Sequence, residues 1–595
     1  MAKKIDKPDL ISIKKLKEWY DLCVSYYARE HKRMRLLDAT DRGELWKAIG
    51  AKFPPYQILP DTNFISYVKN NLLASIYTVV KSAEIQPTSE KDVEITQHLN
   101  IALDRIWDLS NIGFYQFQAG ERAALLNLGI TQVGWDDKLT AGSGDSFYKG
   151  NVTVKNVDPI KFMRDPFATS LDTAEYCMTY EQYHKSIFLE DSKYREEFMK
   201  YVKKTSESHT PLQIPQLKGQ ERMGRAGAKD YYTLVIFWVK NGDRIDEIHT
   251  IDVEHILYYK TDVLPRVFPF AELYCNLPAG ALIGTSECAK VFANNVAYNI
   301  MDSIALTAEY KNQRPPKFIS SESGLNINSF AKHGDDADKT FVVHGDASRA
   351  VHYQQFPPIT QNLINLKNSM MQGIELVSGV DGRYTGRDTG SIITTGGTEE
   401  MLNRVTLIDT PKLANYEAYA KKLTKLVLAH FIEYAPARKY FYKKPDSTKW
   451  STIEIKFPEI DKDTLFNYVI NISSELPKNK QRIAQMANML MEKQMQYAQQ
   501  GQRVQLITEE EWLMFQDLPN KEFMLERMGM QRLEDATEEV AQVLYQYADL
   551  VRQGASPDDA VLATAHSLRK KRMGQMSEDA PIPAVAPEGQ LPPTV

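Results

Sequence analysis

Six glycines, at positions 379, 382, 386, 390, 396 and 397, punctuate the stretch SGVDGRYTGRDTGSIITTGGTEEML (378–402) around Arg383, Tyr384 and Arg387. Glycine-rich backbone beside cations is the raw material of a phosphate cradle, in which backbone N–H groups and a lysine ammonium together neutralise the phosphates. This stretch contains no lysine, so that chemistry is closed to it. Asp381 and Asp388 flank the two arginines, and local ion pairs in a solvated loop compete with any outward role for them.

Other chemistry-bearing patterns fall short in the same way. GTSEC (284–288) approaches a nucleophile elbow but lacks the second glycine, and Thr285 and Ser286 read better as a helix start. His249 and His255 lie six apart in strand-like sequence, an offset that allows a shared sheet face without proximity, so metal ligation is the lesser reading. Asp335, Asp336 and Asp338 in GDDADKT lack the glycine and closing glutamate of a calcium loop, and DKD at 461–463 is no stronger. Cys23, Cys177, Cys275 and Cys288 stand far apart with no CxxC pair, as reduced thiols do. The sequence therefore predicts no catalytic residue, no metal site and no cofactor; the chain reads as a non-enzyme.

Composition narrows the classes further. Lys and Arg number 72 against 77 Asp and Glu, giving a net charge of -5, which argues against a wide basic face that grips a phosphate backbone. The chain of 595 residues is long enough for several domains or several layers of one extended subunit. MAKKIDKPDLISIKKLKEWY turns amphipathic almost at once, and the apolar stretch LPAGALIGTS is short and broken by Pro278, so neither a leader nor a membrane span is expected.

The elements that would position these residues follow from periodicity. Helices are predicted over 12–50, 63–82 and 90–128, the first on a stripe of Leu16, Trp19, Tyr20, Cys23, Tyr26 and Tyr27. A turn-rich segment, WDDKLTAGSGDSFYKGN, follows, then strands at NVTVKNV and either side of Asn241-Gly242. A long helix spans 285–312 with Phe292, Val296, Ile300 and Ile304 at steps of four, and RPP (314–316) stops it. The small insert that follows carries candidate strands KFIS, FVVHG and VHYQQF, and a second helix over 360–378 shows the stripe Leu363, Leu366, Met370, Ile374 and Val377. Helix resumes from Glu399 to about Tyr434, where Pro411 either kinks it or restarts it with Thr410 as cap. Strands STIEIKF and YVINIS come next, then short helices marked by Thr508 and Glu511 as a capping box, Gly529 and Gly554 as stops and Ser556-Pro557 as a start. The proline-rich tail SEDAPIPAVAPEGQLPPTV is expected to be disordered.

This order of parts resembles the portal protein, or head-to-tail connector, of tailed bacteriophages, particularly the short-tailed kind. The likeness covers nearly the whole chain. It is most specific in PPITQNLINLKNSMMQGIELVSGVDGRYTGRDTGSIITTGGTEEMLNR, which looks like a second stem helix, a channel loop and a kinked helix, while AGERAALLNLGITQVGWDD and VDPIKFMRDPFA look like the wing. The resemblance implies an α+β, mainly helical portal fold assembling as a ring with a central channel. On this sequence the wing would be 1–284 with a strand return at 436–477, the stem helices 285–312 and 359–378, and the clip 313–358. The channel loop would be 379–398, the kinked helix 399–435 and the helical crown 478–574, with 575–595 a disordered tail.

The resemblance also implies the work done. A ring, as a rule dodecameric, would sit at the portal vertex of the capsid in the virion, after synthesis in the host cytoplasm. Double-stranded DNA would pass through it during packaging and ejection. Its partners would be the terminase large subunit, a tail adaptor protein and the major capsid and scaffolding proteins, with no membrane involved. Arg383, Tyr384 and Arg387 would face the DNA, and Pro411 would set the bend that points the loop inward. Lys311, Arg314 and Lys317 would face DNA or the adaptor and motor proteins, or merely solubilise a helix end. The competing readings are another structural virion protein of tail or baseplate and, further off, a packaging enzyme. An acidic subunit suits a conduit, because a protein neutralising many phosphates binds DNA tightly instead of letting it slide.

Overall fold

The computed structural model describes residues 10–50, 52–79, 82–141, 148–204, 230–277, 284–334, 336, 339–354, 356–378, 395–443, 450–460, 466–470, 477–499, 505–516, 524 and 527–528. The chain forms two compact units, one of residues 1–442 with 450–472, the other of 443–449 with 473–595. The architecture is mixed helix and strand with several sheets, an α+β protein. No described helix is long and apolar enough to cross a membrane.

In the first unit, helix α1 (Ile13–Asp41) starts where the Ser12 side chain accepts a hydrogen bond from the Lys15 N–H. Its residues Leu16, Tyr20, Cys23 and Tyr27 recur at helical spacing and are buried, whereas Tyr26 of the predicted stripe faces outward, 53% exposed. The predicted block ends early: α1 stops at Arg42, and α2 (Leu45–Ile49) follows with Gly50 as its left-handed cap. Helix α3 (Phe64–Ser75) is likewise shorter than its prediction and leads to strand β1 (Glu84–Gln86). The helix predicted over 90–128 is two helices, α4 (Val93–Leu109) and α5 (Ile112–Leu126), because Asn111 between them adopts φ 52.

Strands β2 (Leu128–Ala141) and β3 (Tyr148–Val157) then pair, so the segment read as turn-rich is strand over 135–141 and 148–151, while its middle, 142–147, lies outside the described residues. Strands β4 (Phe162–Arg164) and β5 (Tyr176–His184) precede helices α6 (Lys185–Glu190) and α7 (Arg195–Lys204). Strands β6 (Tyr231–Asn241) and β7 (Arg244–Ile251) form the hairpin expected at Asn241-Gly242, where Gly242 takes φ 66, and β8 (His255–Lys260) and β9 (Phe270–Tyr274) complete the region. Two sheets result, antiparallel throughout: β4-β5-β6-β7-β8, and β3-β2-β9. The buried side of α1 packs on the larger sheet through Met163, Tyr176, Met178, Val235 and Phe237. There Trp19 stacks on Tyr176 at 4.4 Å, and the Tyr27 hydroxyl donates to the Arg164 carbonyl at 3.2 Å. Arg164 itself is buried against Glu272 of the smaller sheet at 2.6 Å, which ties the two sheets together.

Beyond the sheets lie α8 (Glu287–Gln313), β10 (Lys317–Ile319), α9 (Ile327–His333), α10 (Ala347–Ala350), β11 (Val351–Tyr353) and α11 (Gln361–Ser378). Helix α12 (Thr395–Tyr434) runs through Pro411 without restarting, so the Thr410 cap is not used. Its second half is core: Tyr416, Tyr419, Leu423, Val427 and Phe431 are buried, and the Tyr419 hydroxyl meets Thr131 of β2 at 2.6 Å. Strands β12 (Arg438–Lys443) and β13 (Trp450–Ile455) pair with each other, and β14 (Asn467–Val469) pairs antiparallel with β1.

The second unit shows helices α13 (Pro477–Gln499) and α14 (Glu509–Phe515). The capping box is formed as predicted: the Thr508 side chain accepts from the Glu511 N–H, and the Glu511 carboxylate accepts from the Thr508 N–H. Asn488 of α13 receives both Trp512 Nε1 and Gln516 Nε2, at 2.7 and 2.9 Å, fastening the α14 segment to it. Gly529, Gly554, Ser556-Pro557 and the tail 575–595 lie outside the described residues.

Candidate functional site

Helices α8 and α11 pack side by side with the small insert between them in sequence. Ser286 caps α8 by accepting from the Ala289 N–H at 3.0 Å, so the residue that approached a nucleophile elbow is a helix cap, 1% exposed. Between the helices Lys367 binds Asp302 and lies 4.9 Å from the centre of the Tyr298 ring. Gly373 permits close approach here, because a Cβ at that position would sit 3.0 Å from the Asn294 side-chain nitrogen.

Beyond Cys288 and Val291 in its first turns, the face that α8 buries within its own chain is polar. Asn295, Asn299, Ser303 and Thr307, spaced four apart, are all buried. They bond the backbone of the segment leading into α3. Asn295 Oδ1 accepts from the Phe64 N–H at 3.2 Å, and Thr307 Oγ1 from the Ile58 N–H at 3.0 Å. Asn299 accepts from the Thr62 N–H and donates to its carbonyl, while Ser303 donates to the Ile58 carbonyl. An extended strap is thus fixed along α8 with its backbone groups satisfied by side chains.

The predicted apolar stripe of α8 has the opposite fate. Ile300 and Ile304 are 41% and 49% exposed, and Phe292 and Val296 only half-buried. On α11, Ile374 is buried as predicted, but Leu366 and Val377 are 49% and 45% exposed. The hairpin therefore presents several partly exposed apolar side chains.

Strands β10 and β11 pair with Phe318 opposite His352, Phe330 of α9 meets Phe341 edge-on at 5.2 Å, and Asn326 and Asp346 cap α9 and α10. The predicted strand FVVHG is not one: 341–345 runs without a strand partner and is tied by the His344 N–H to the Ser323 carbonyl at 2.8 Å. Lys311, Arg314 and Lys317 stand where α8 enters the insert, each over an aromatic ring. Lys311 lies 4.3 Å from Tyr56, Arg314 5.6 Å from Tyr310, and Lys317 5.2 Å from Phe330. The three are brought to one junction, each cation within reach of a ring face.

The remaining candidates separate. Arg383, Tyr384 and Arg387 lie outside the described residues, as do Asp335 and Asp338. His249 sits on β7 and His255 on β8, each with its own partners. Buried His249 bonds the Tyr194 hydroxyl at 2.7 Å and the Glu247 carboxylate, and burial pushes its imidazole below the usual range. His255 meets Glu197 at 3.2 Å. All four cysteines are buried and unbonded to one another, and burial pushes the Cys23 thiol up to about 12, too high for a ready nucleophile. Among the described residues no cluster of three or more His, Cys, Asp or Glu side chains can hold a metal ion.

Sequence reading missed the polar ladder of α8 although its four-residue spacing was on display. No protein-family model matches the chain, and no curated protein matches it.

Proposed function

We propose that the chain is a portal protein of a tailed bacteriophage, of the short-tailed kind. Copies close into a ring, as a rule dodecameric, at one capsid vertex, and the ring conducts double-stranded DNA during packaging and ejection. The observation that carries this reading is the α8–insert–α11 hairpin, whose apolar side chains Ile300, Ile304, Leu366 and Val377 are 41–49% exposed. Neighbouring copies cover them in a ring, each hairpin packing beside the next around a bore. The insert, with Lys311, Arg314 and Lys317 at its junction with α8, then lies at one end of the hairpin, where the terminase large subunit and later a tail adaptor dock. The net charge of -5 supports a conduit that does not hold the polyanion. Arg383, Tyr384 and Arg387 serve as sparse contacts to the passing duplex, and the outer surface of the ring meets the capsid and scaffolding proteins.

Electron microscopy of the purified protein tests the proposal directly. Closed rings with a hole wide enough for duplex DNA are expected. A monomer at all concentrations, or solid particles without a hole, refutes it.

A further inference from the structure

Pro411 sits inside α12, where it removes the hydrogen bond to the carbonyl four residues earlier and pushes its ring toward it, so the helix has a weak joint at that point. A buried cluster of charge straddles this joint. Asp409, two residues before the proline, binds Lys412, the residue after it, at 3.2 Å, and takes a hydrogen bond from Ser75 at the end of α3. Lys412, 4% exposed, reaches Glu287 in the first turn of α8 at 3.5 Å. Glu287 is equally buried, and its Oε1 also accepts from Asn276 Nδ2 and Lys290 Nζ, each at 3.0 Å. Asn276 is fixed in turn by Asn127, whose Oδ1 accepts from the Asn276 N–H at 2.9 Å and whose Nδ2 donates to its carbonyl.

We infer that Asp409, Lys412 and Glu287 form an electrostatic pin that sets the direction of the 395–410 arm of α12 and couples it to the start of α8. The two sides of the joint are unequal. After Pro411 the helix is anchored by buried Tyr416, Tyr419 and Leu423, with the Tyr416 hydroxyl on the Val79 carbonyl at 2.8 Å. At the joint itself Thr410 and Pro411 are exposed. Thr410 and Pro411 themselves therefore add no burial at the joint, and the charge cluster of Asp409, Lys412 and Glu287 lies directly beside them. A buried ion pair adds little net stability against an apolar replacement, but it is directional, and losing one partner leaves the other charge uncompensated. That combination fixes an angle rather than deepening a core. The inference rests on the joint and not on the ring.

Hydrogen exchange of the full chain, read by mass spectrometry, tests it. In Lys412→Met the amides of 398–408 are expected to exchange roughly tenfold faster than in the unaltered protein, while those of β6 and β7 keep their rates. Pro411→Ala restores the helix bond, so the double variant Pro411→Ala/Lys412→Met is expected to return the arm to the original rate. Should Lys412→Met fail to fold, Glu287→Gln, which keeps an amide beside Asn276 and removes the charge, is read in the same way and decides the matter. Unchanged exchange of the arm, acceleration spread equally over β6 and β7, or no recovery in the double variant overturns the pin.

Discussion

Asn299 holds both backbone polar atoms of Thr62, its Oδ1 accepting from the N–H at 2.7 Å and its Nδ2 donating to the carbonyl at 3.0 Å. The pairing is side chain to backbone, so it reads the path of the strap and not its sequence. Replacing Asn299 with Leu removes both bonds and leaves the half-buried Thr62 N–H without its partner, while the Thr62 carbonyl keeps the Phe64 N–H at 3.2 Å, at a cost of roughly 1–3 kcal/mol. The amides of Ile58, Thr62 and Phe64 are then expected to lose protection, measured by hydrogen exchange, while α8 keeps its own. Equal protection of the strap in both proteins would show that Asn299 does not hold it.

That relationship explains what was legible in the sequence and what was not. The period of four that marked α8 as a helix was sound, since local geometry alone determines it. Which face the chain would bury was not, because Asn, Ser and Thr outcompeted Ile300 and Ile304 for the interior by satisfying an extended segment rich in proline, with Pro54, Pro55 and Pro60. Strand β2 was hidden for a related reason. Its polar C-terminal end, Asp136–Ala141, carries turn-forming residues, yet it pairs with β3, and the N-terminal part pairs with both β3 and β9. The N-terminal part is held by β9, a partner distant in sequence, and the polar end then follows its neighbour β3. The break at Asn111 depends on a single left-handed residue, whereas the β6–β7 hairpin and the Thr508–Glu511 box announce themselves within a few residues. Of the candidate site, the junction of Lys311, Arg314 and Lys317 was legible, but its aromatic seats were not, because Tyr56 comes from far along the chain.

A pH dependence follows from His31, which is buried beside Tyr27 with ring centroids 5.7 Å apart. Burial, with Arg35 nearby, pushes its imidazole down to about 4. Between the unfolded value near 6.5 and that folded value, the unfolded chain binds a proton that the folded chain refuses, so stability falls as pH drops through this window and levels off below it. His31→Phe abolishes this contribution. The variant is expected to gain on the unaltered protein by up to about 3 kcal/mol between pH 6.5 and pH 4, read from paired denaturant titrations at each pH. A constant difference across the window would refute a neutral, buried His31.

Arg383 and Arg387 offer a test of the conduit that leaves the fold aside. Changing both to Ala is expected to leave ring assembly intact while altering the packaging or retention of DNA, with an effect that shrinks as salt rises, since contacts to phosphate are screened. Packaging assays at two salt concentrations measure it. If rings fail to form, the two arginines belong to contacts between copies instead.

Ile300 and Ile304 bear most directly on assembly. Each is 41–49% exposed on α8 while polar neighbours on the same helix are buried, so the fold leaves much of their apolar surface open. Burying such a side chain between copies contributes roughly 1 kcal/mol per site, repeated at every interface of a closed ring, and a carboxylate placed there must instead be desolvated. Ile300→Glu/Ile304→Glu is therefore expected to keep the secondary structure of the unaltered protein, seen by circular dichroism, and to sediment as a monomer. The matched pair Ile300→Val/Ile304→Val retains an apolar face and is expected to assemble. Rings formed equally well by the glutamate variant would place the interface elsewhere on the hairpin and withdraw the partly exposed face of α8 as the reason the copies associate.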